Sequence, residues 1–429
     1  KQKTAYEIRL SLVGSEMCIR DSHVLTPEGP AGTLLKEGQH VFNYTALEPD
    51  LEVALAMPLR AKSYASTPLH AVFAMNLPEG FLLDKLRRRL AKFGKVDDML
   101  LLERTGRQQI GRLQYVAEEG GWSPPPANAS LQRLIDEGST KGLFEHLVET
   151  YLEAGIAGVQ PKVLMPDAGL QPQSGERTTL IEPDLIVKAA GEDYEALAAN
   201  EFACMSAARR AGIKTPEFWL SSDDTLFVMR RFDLSPERRG FEDIAAVSGI
   251  NRDPDGAYKY GGSYEAVAKV IGSYAMSNRQ SALAQFFDYL VISVILRNGD
   301  AHLKNFGLTY STPNANDVEL APLFDVVTTT IYTYPNPRTG ESIVDRTMAL
   351  KLFSGASSRA YPAAVDLVRF GRTVCGVERP KDHIDRIATA VFETIDKELQ
   401  RVPPTIRSDM AAAWVEGLGS VSSSRTVTS

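Results

Sequence analysis

The stretch Arg297–Leu308, RNGDAHLKNFGL, follows directly on the apolar run FFDYLVISVIL. An acid, an imidazole, an ammonium and a carboxamide (Asp300, His302, Lys304, Asn305) crowd into this one short segment. A turn requires none of them, because Asn298 and Gly299 already have the preferences that make one. Either the segment is a polar surface connection, or it gathers groups that act on a bound molecule. The surrounding chain has to decide.

A chain of 429 residues implies two or three domains or lobes, each able to bury a core. Hydrophobic content of 44% and charged content of 24% are ordinary for a soluble globular protein. The net charge of −7 offers no overall attraction to nucleic acid or to an anionic membrane. Cys18, Cys204 and Cys375 are odd in number and widely separated, which argues for a reducing cytoplasm rather than a disulfide framework. No CxxC pair or His/Cys cluster suggests structural zinc. The longest apolar runs, such as Tyr289–Leu296, are too short to span a bilayer. Residues 1–22 end in LSLVGSEMCIRDS, which resembles translated adapter sequence, and they are expected to be a non-native leader. A genuine strand over EIRLSLV is the alternative.

Outward from the opening stretch, the chain divides by pattern. Residues 23–112 read as a β-rich subdomain, with HVFNYTA alternating like a strand. Within it, LPEGFLLDKLRRRLAKFGK reads as an amphipathic helix with Leu82, Leu83, Leu86, Leu90 and Phe93 on one face. Lys85, Arg87, Arg88, Arg89 and Lys92 fall on the other, as a solvated face or a basic groove. The prolines of WSPPPANAS (122–130) favour an exposed connection. Residues 113–235 carry short β-rich runs, VQPKVLM, TTLIEPDLIVKA and TLFVMRRFD, around a helix YEALAANEFACMSAARRAG that Gly212 closes. Residues 236–420 are predominantly helical, and 421–429 have no apolar periodicity and are expected to be disordered. A β-rich half followed by a helical half implies two lobes with a cleft between them.

Three constellations carry chemistry. In GIAGVQPKVLM (155–165), Gly155 and Gly158 allow close backbone approach and Lys162 adds a cation, a composition that suits phosphate oxygens. It matches neither the P-loop nor the GxGxxG fingerprint, so taken alone an ordinary glycine turn before a strand accounts for it better. Lys188 ends LIVK; a lysine held on such a strand can reach the phosphates of ATP, or it can snorkel to solvent. Asp300 and Asn305 are five residues apart in D-x-H-x-K-N, the Asp-to-Asn spacing of the protein-kinase catalytic loop. There the carboxylate orients the attacking hydroxyl and accepts its proton, while the amide oxygen binds Mg²⁺. Twenty residues on, Asp325 follows Phe324 in LAPLFDVV, where a second metal-binding carboxylate would stand. Any one of these has an ordinary structural explanation; their order along one chain favours the catalytic one.

NGDAHLKNFGL, LAPLFDVV, LIVK, GIAGVQPK, MRRFD and MALKLFSG together resemble the HipA family of bacterial Ser/Thr protein kinases, from about His23 to near the end. The resemblance implies an α+β, two-lobed protein-kinase-like fold, with a β-rich N-terminal lobe and an all-helical C-terminal lobe. It implies ATP and Mg²⁺ as cofactors, Asp300 as the catalytic aspartate, and Asn305 and Asp325 as metal ligands. Lys188 corresponds to the ATP-binding strand lysine, Ala157, Gly158, Val159, Gln160 and Lys162 to the phosphate-covering loop, and Arg230 to Phe232 to the segment beside the adenine. His302 and Lys304 would line the nucleotide site, unless His302 only packs the loop. The partners implied are a protein substrate, such as a translation factor, and a small helix-turn-helix antitoxin of the HipB type. DNA would be reached only through that antitoxin, and no membrane is involved. Two positions depart from the family: Gly155 replaces an autophosphorylated serine, and Arg230 replaces an acidic hinge residue. A kinase of a lipid, sugar or antibiotic hydroxyl, and a nucleotide-binding scaffold in an antitoxin–DNA complex, are the competing readings.

Overall fold

The computed structural model describes residues 20–45, 47–93, 95–117, 129–138, 142–152, 156, 160–170, 183–189, 194–234, 236–253, 255–335 and 339–422. Five strands open the chain: β1 (Arg20–Thr26), β2 (Gly29–Glu37), β3 (Gln39–Tyr44), β4 (Tyr64–Ser66) and β5 (Gln114–Val116). They form one antiparallel sheet in the order β4-β3-β2-β1-β5. Strand β3 buries His40 and Phe42 on alternate positions, and Phe42 meets Phe73 at a ring separation of 5.2 Å. The amphipathic helix is present as Gly80–Leu90, with Leu82, Leu83, Leu86 and Leu90 buried and Arg87, Arg88 and Arg89 exposed. Strand β5 pairs with β1, so the sheet of this subdomain takes in residues as far as Val116. Arg20, Asp21 and Ser22 already belong to β1, opposite Lys36, Leu35 and Leu34. The rest of the expected leader, most of the proline-rich connection, and residues 423–429 lie outside the described residues.

The second sheet, in the order β6-β7-β9-β8, is antiparallel and is made of β6 (Lys162–Met165), β7 (Leu185–Ala189), β8 (Phe218–Leu220) and β9 (Leu226–Arg230). Every residue of β6 and β7 is buried, so their sequences do not alternate and are apolar throughout except for Lys162 and Lys188. The helix Leu197–Arg210 packs against this sheet and against the helix Pro380–Lys397. It is buried without interruption from Ala198 to Ala208, and its alanines allow that enclosure. Gly212, at φ +73°, ends it as expected: Gly212 N–H donates to Arg209 O and Ile213 N–H to Ala208 O, a Schellman closure.

The C-terminal lobe is built on the helices Tyr264–Tyr274, Arg279–Ile295, Ala364–Thr373, Pro380–Lys397 and Pro404–Val421. It is not all-helical: β10 (Gly240–Asp243), β11 (Gly307–Tyr310) and β12 (Glu319–Leu320) form a small antiparallel sheet, and β13 (Tyr334–Pro335) pairs with β14 (Ser342–Ile343). The reason is local, since the chain must leave the Asp300 loop and return towards Asp325, and strand pairing satisfies the backbone on both passes. The buried Arg231 ties the subdomains together. Its guanidinium forks onto Asp233 at 3.0 and 2.5 Å and donates to Pro183 O and Gln109 O, while Gly111 N–H donates to Asp233. No helix among the described residues is long and apolar enough to cross a membrane.

Candidate active site

Lys188 stands on β7 opposite Lys162 on β6 and Phe227 on β9, with its side chain only 2% exposed. Its Nζ donates to Glu201 Oε1 at 2.6 Å and to Asp325 Oδ1. Lys162 Nζ lies 4.0 Å from the other oxygen of Asp325. Two lysines and two carboxylates therefore converge from β6, β7, the helix Leu197–Arg210 and the segment after β12. Burial would raise the Asp325 carboxyl, but Lys188 and Lys162 outweigh it and hold the group below the usual carboxylate range. Burial also opposes the charge on Lys188, and the two carboxylates overcome it, so its ammonium is held above the usual lysine value. Glu201 is pushed up to about 7 by burial, against the pull of Lys188.

The same helix fixes Asp325 from below. Asn200 Nδ2 donates to Thr328 O at 3.0 Å and Thr328 N–H donates to Asn200 Oδ1 at 2.9 Å. Phe324 stacks on Phe232 with centroids 5.7 Å apart. Asp325 itself is held at φ +58°, a left-handed conformation that costs a non-glycine residue about 1–2 kcal/mol. Such strain persists where the surroundings over-determine it, commonly at functional sites.

The opening loop leaves the helix Arg279–Ile295 through a second Schellman closure, with Asn298 N–H donating to Ser293 O at 2.9 Å. The left-handed position, which glycine usually fills, is Arg297 at φ +55°. Its guanidinium offsets that cost by donating to Glu416 O at 3.1 Å and by lying 4.6 Å from the Tyr361 ring centroid. Asn298 and Gly299 act differently from a simple turn. Asn298 Oδ1 accepts from Asp300 N–H at 3.1 Å, while a Cβ on Gly299 would lie 2.7 Å from Thr347 O. Asn305 Nδ2 then donates back to Asp300 O at 2.7 Å, closing the loop across the Asp-to-Asn spacing. The Asp300 side chain is 45% exposed and accepts from Tyr260 OH at 2.7 Å.

His302 is buried beside Asp300, with Nε2 3.9 Å from Asp300 Oδ1 and no hydrogen-bond partner for Nδ1 among the described residues. Burial lowers its pKa to about 4, so the ring is neutral at pH 7. Lys304 does not point at the cleft as a free cation. Its Nζ donates to Met75 O at 3.0 Å and Glu79 Oε1 at 3.2 Å, both in the N-terminal subdomain. Arg230 is likewise engaged, by Asp184, by Glu217 at 3.2 Å and by Asp167 at 3.6 Å. Its position opposite Leu185, three residues along the ladder from Lys188, keeps that guanidinium out of the lysine cluster. Gln160 Nε2 reaches Ala189 O at the end of β7, at 3.2 Å. Gly155, Ala157, Gly158 and Val159 lie outside the described residues.

Three participants escaped the sequence reading. Glu201 carried a usable signal, an acid within an otherwise apolar, alanine-rich helix just after the strand lysine. Glu79 and Tyr260 carried none, because each reaches the loop only through tertiary packing. Asp325 and Asn305 supply hard oxygen donors of the kind that suit Mg²⁺ when phosphates complete its coordination. No cluster of three or more His, Cys, Asp or Glu among the described residues forms a metal cage.

The HipA-like C-terminal domain model matches residues 154–399 and the HipA N-terminal domain model residues 22–116. A Sinorhizobium fredii protein named "Putative kinase Y4dM" is 29% identical over 338 residues, 71% of this chain and 76% of its own. A second, "Putative kinase Y4mE" from the same organism, is 24% identical over 371 residues, 81% of this chain and 84% of its own. The solved HipA, HipB and operator DNA complex from Shewanella oneidensis MR-1 superposes with a TM-score of 0.62 at 19% identity, covering 93% of this chain and 95% of that one. The α+β, two-lobed kinase-like fold expected from the sequence is the fold observed.

Proposed function

The chain belongs to the HipA family, and from that membership we propose that it is an ATP- and Mg²⁺-dependent kinase of protein Ser or Thr hydroxyls, the toxin of a toxin–antitoxin pair. The observation that carries the reading is the convergence of Lys188 and Glu201, from the second sheet and its helix, on Asp325 of the C-terminal lobe, which also holds the Asp300–Asn305 loop. Lys188 would exchange Asp325 for phosphate oxygens when nucleotide enters, and Glu201 keeps its ammonium aimed. Asp325 and Asn305 would hold Mg²⁺, which neutralises phosphate charge when bound. Asp300 would orient the acceptor hydroxyl and take its proton; its exposure and its neutral neighbours leave the carboxylate available. Neutral His302 walls that carboxylate without competing for the proton.

The Shewanella structure contains HipB and operator DNA. By analogy, this chain pairs with a small helix-turn-helix antitoxin and reaches DNA only through it, which the net charge of −7 favours. The acceptor would be a cytoplasmic protein such as a translation factor. Incubating the purified chain with γ-labelled ATP and a cell lysate tests the reading. Label should enter proteins, and Asp300→Asn should reduce transfer by about 10²–10⁴-fold while still binding ATP. Equal transfer by both proteins would remove Asp300 from the role.

A further inference from the structure

The Asp300 carboxylate already has a hydroxyl on it. Tyr260 OH donates to Asp300 Oδ1 at 2.7 Å, the contact that an attacking hydroxyl makes with its base. Among the described residues no other side-chain hydroxyl donates to this carboxylate. The Tyr260 ring stands edge-on to His302, with centroids 5.2 Å apart and planes at 78°, so the phenol is aimed rather than incidental. The residue is 37% exposed, so the cleft side of the hydroxyl is not sealed by packing.

Tyr260 is bracketed by glycines. It ends a short 3₁₀ turn, Ala257–Tyr260, which begins after Gly256 at φ +70° and is followed by Gly261 and by Gly262 at φ +97°. Nothing lies within 4 Å of a Cβ placed on Gly256 or Gly262, so these glycines supply conformation rather than clearance. Lys259, buried beside the phenol, has its Nζ 5.4 Å from the ring centroid.

We propose that Tyr260 is an internal phosphoryl acceptor, to which the chain transfers the γ-phosphoryl group of a nucleoside triphosphate in cis. This rests on the kinase reading above and extends its acceptor from the aliphatic hydroxyl of Ser or Thr to one phenol of the chain itself. In the step, a bond forms between Tyr260 Oη and the γ-phosphorus as the bond from that phosphorus to the β–γ bridging oxygen breaks. The nucleoside diphosphate leaves with the electron pair, and the phenolic proton passes to Asp300 Oδ1. Burial and the Asp300 charge both hold the phenol protonated, so attack needs that carboxylate as base. The product carries a charge near −2 beside Asp300, and like-charge repulsion expels it about the flanking glycines. The acceptor position is then open, so Tyr260 must be modified or displaced before an external hydroxyl can occupy it.

The test uses the full chain with γ-labelled ATP and Mg²⁺, following the label by peptide mass mapping and nucleoside diphosphate release in parallel. Label on the peptide containing Tyr260, as phosphotyrosine and at a rate independent of protein concentration, is the expected result. Tyr260→Phe keeps the ring on His302 and should lose that label. A rate that rises with protein concentration overturns transfer in cis. Diphosphate release and labelled lysate proteins with Tyr260 unlabelled also overturn the proposal, while the kinase reading stands. Absence of both diphosphate release and label removes the two together. Mapping on the unsubstituted chain decides the question even if Tyr260→Phe fails to fold.

Discussion

The two ends of the site are organised by opposite means. At the Lys188 end, four ionisable side chains from four elements satisfy one another in the interior, with Glu201 wholly buried and Lys188 nearly so. At the Asp300 end, the carboxylate is half exposed, and its neighbours are a phenol, a neutral imidazole and its own loop's backbone. The first end is preorganised by charge and needs an incoming ligand to trade partners with. The second is preorganised by backbone hydrogen bonds and needs only a hydroxyl. A phosphoryl-transfer site calls for that division, because one end meets a polyanion and the other a neutral nucleophile.

The largest effect is expected where charge compensation is removed from the interior. Lys188→Met leaves Glu201 buried without its cation, which costs about 3–5 kcal/mol when one member of a buried pair is deleted. Phosphoryl transfer should fall by about 10²–10³-fold, as when a preorganised donor to transition-state charge is lost. The double variant Lys188→Met/Glu201→Gln should regain much of the stability and none of the transfer. Denaturant unfolding and labelled-phosphate transfer measure the two quantities separately. If the single variant were as stable as the parent, Glu201 would already be neutral and the charged description of this end would fail.

The same contrast explains which parts were legible in the sequence. The Asp300–Asn305 spacing was readable because its geometry is local, with the Asn305 amide closing onto the Asp300 carbonyl within one loop. Lys188 was readable because a cation at the end of an apolar strand needs a buried partner or an exit to solvent. The partner itself was harder to see, since Asp325 lies 137 residues away along the chain. The left-handed helix stop was not legible: it falls on Arg297, whose cost is offset by Glu416 and Tyr361, more than sixty residues downstream. Lys304 was expected at the nucleotide site from the family resemblance, and its ion-pair partner Glu79, brought to it by the subdomain fold across 225 residues, was not legible. Local spacing is legible in a sequence, and the partner of a buried cation is not, because it is whichever carboxylate the fold brings near.

His302 offers an intermediate test, because it separates the two ends. Its pKa is lowered from 6.5 to about 4 by burial, with Lys259 and Lys304 acting in the same direction and Asp300 and Asp325 opposing. A base depressed on folding leaves the unfolded state binding more protons between those values, so its contribution to stability is complete above pH 6.5 and declines as pH falls towards 4. The full swing is roughly 3–3.5 kcal/mol. Glu201, raised to about 7, runs the other way between its ordinary value and 7, so the parent's profile mixes the two. The difference between the unfolding free energies of the parent and His302→Asn, followed from pH 4 to 7, isolates the histidine. A difference that does not change with pH would mean an ordinary titration of His302, and the neutral wall beside Asp300 would then not be enforced by burial.

The smallest effect is expected at the one ionic support the acceptor end receives from outside its lobe. Burial opposes the charge on Glu79, yet Lys304, Lys259 and Arg252 hold its carboxyl down at about 2, so the pair with Lys304 is ionised throughout the physiological range. Glu79→Gln removes the charge and keeps an amide oxygen that can still accept from Lys304, while Met75 O retains its own bond at 3.0 Å. Stability should therefore drop by only about 1 kcal/mol, a modest net loss for a charged hydrogen bond with a neutral replacement. Transfer should fall by about tenfold or less, because Lys304 positions the loop without touching the acceptor. A positioning role predicts that the loss appears in the rate at saturating ATP and is restored by Glu79→Asp more than by Glu79→Gln. If Glu79→Gln instead abolishes transfer, Lys304 contacts the reacting groups, and the acceptor end depends on charge as the nucleotide end does. If it changes nothing, the loop is held by its backbone bonds alone, and the N-terminal subdomain serves some other purpose than steadying it.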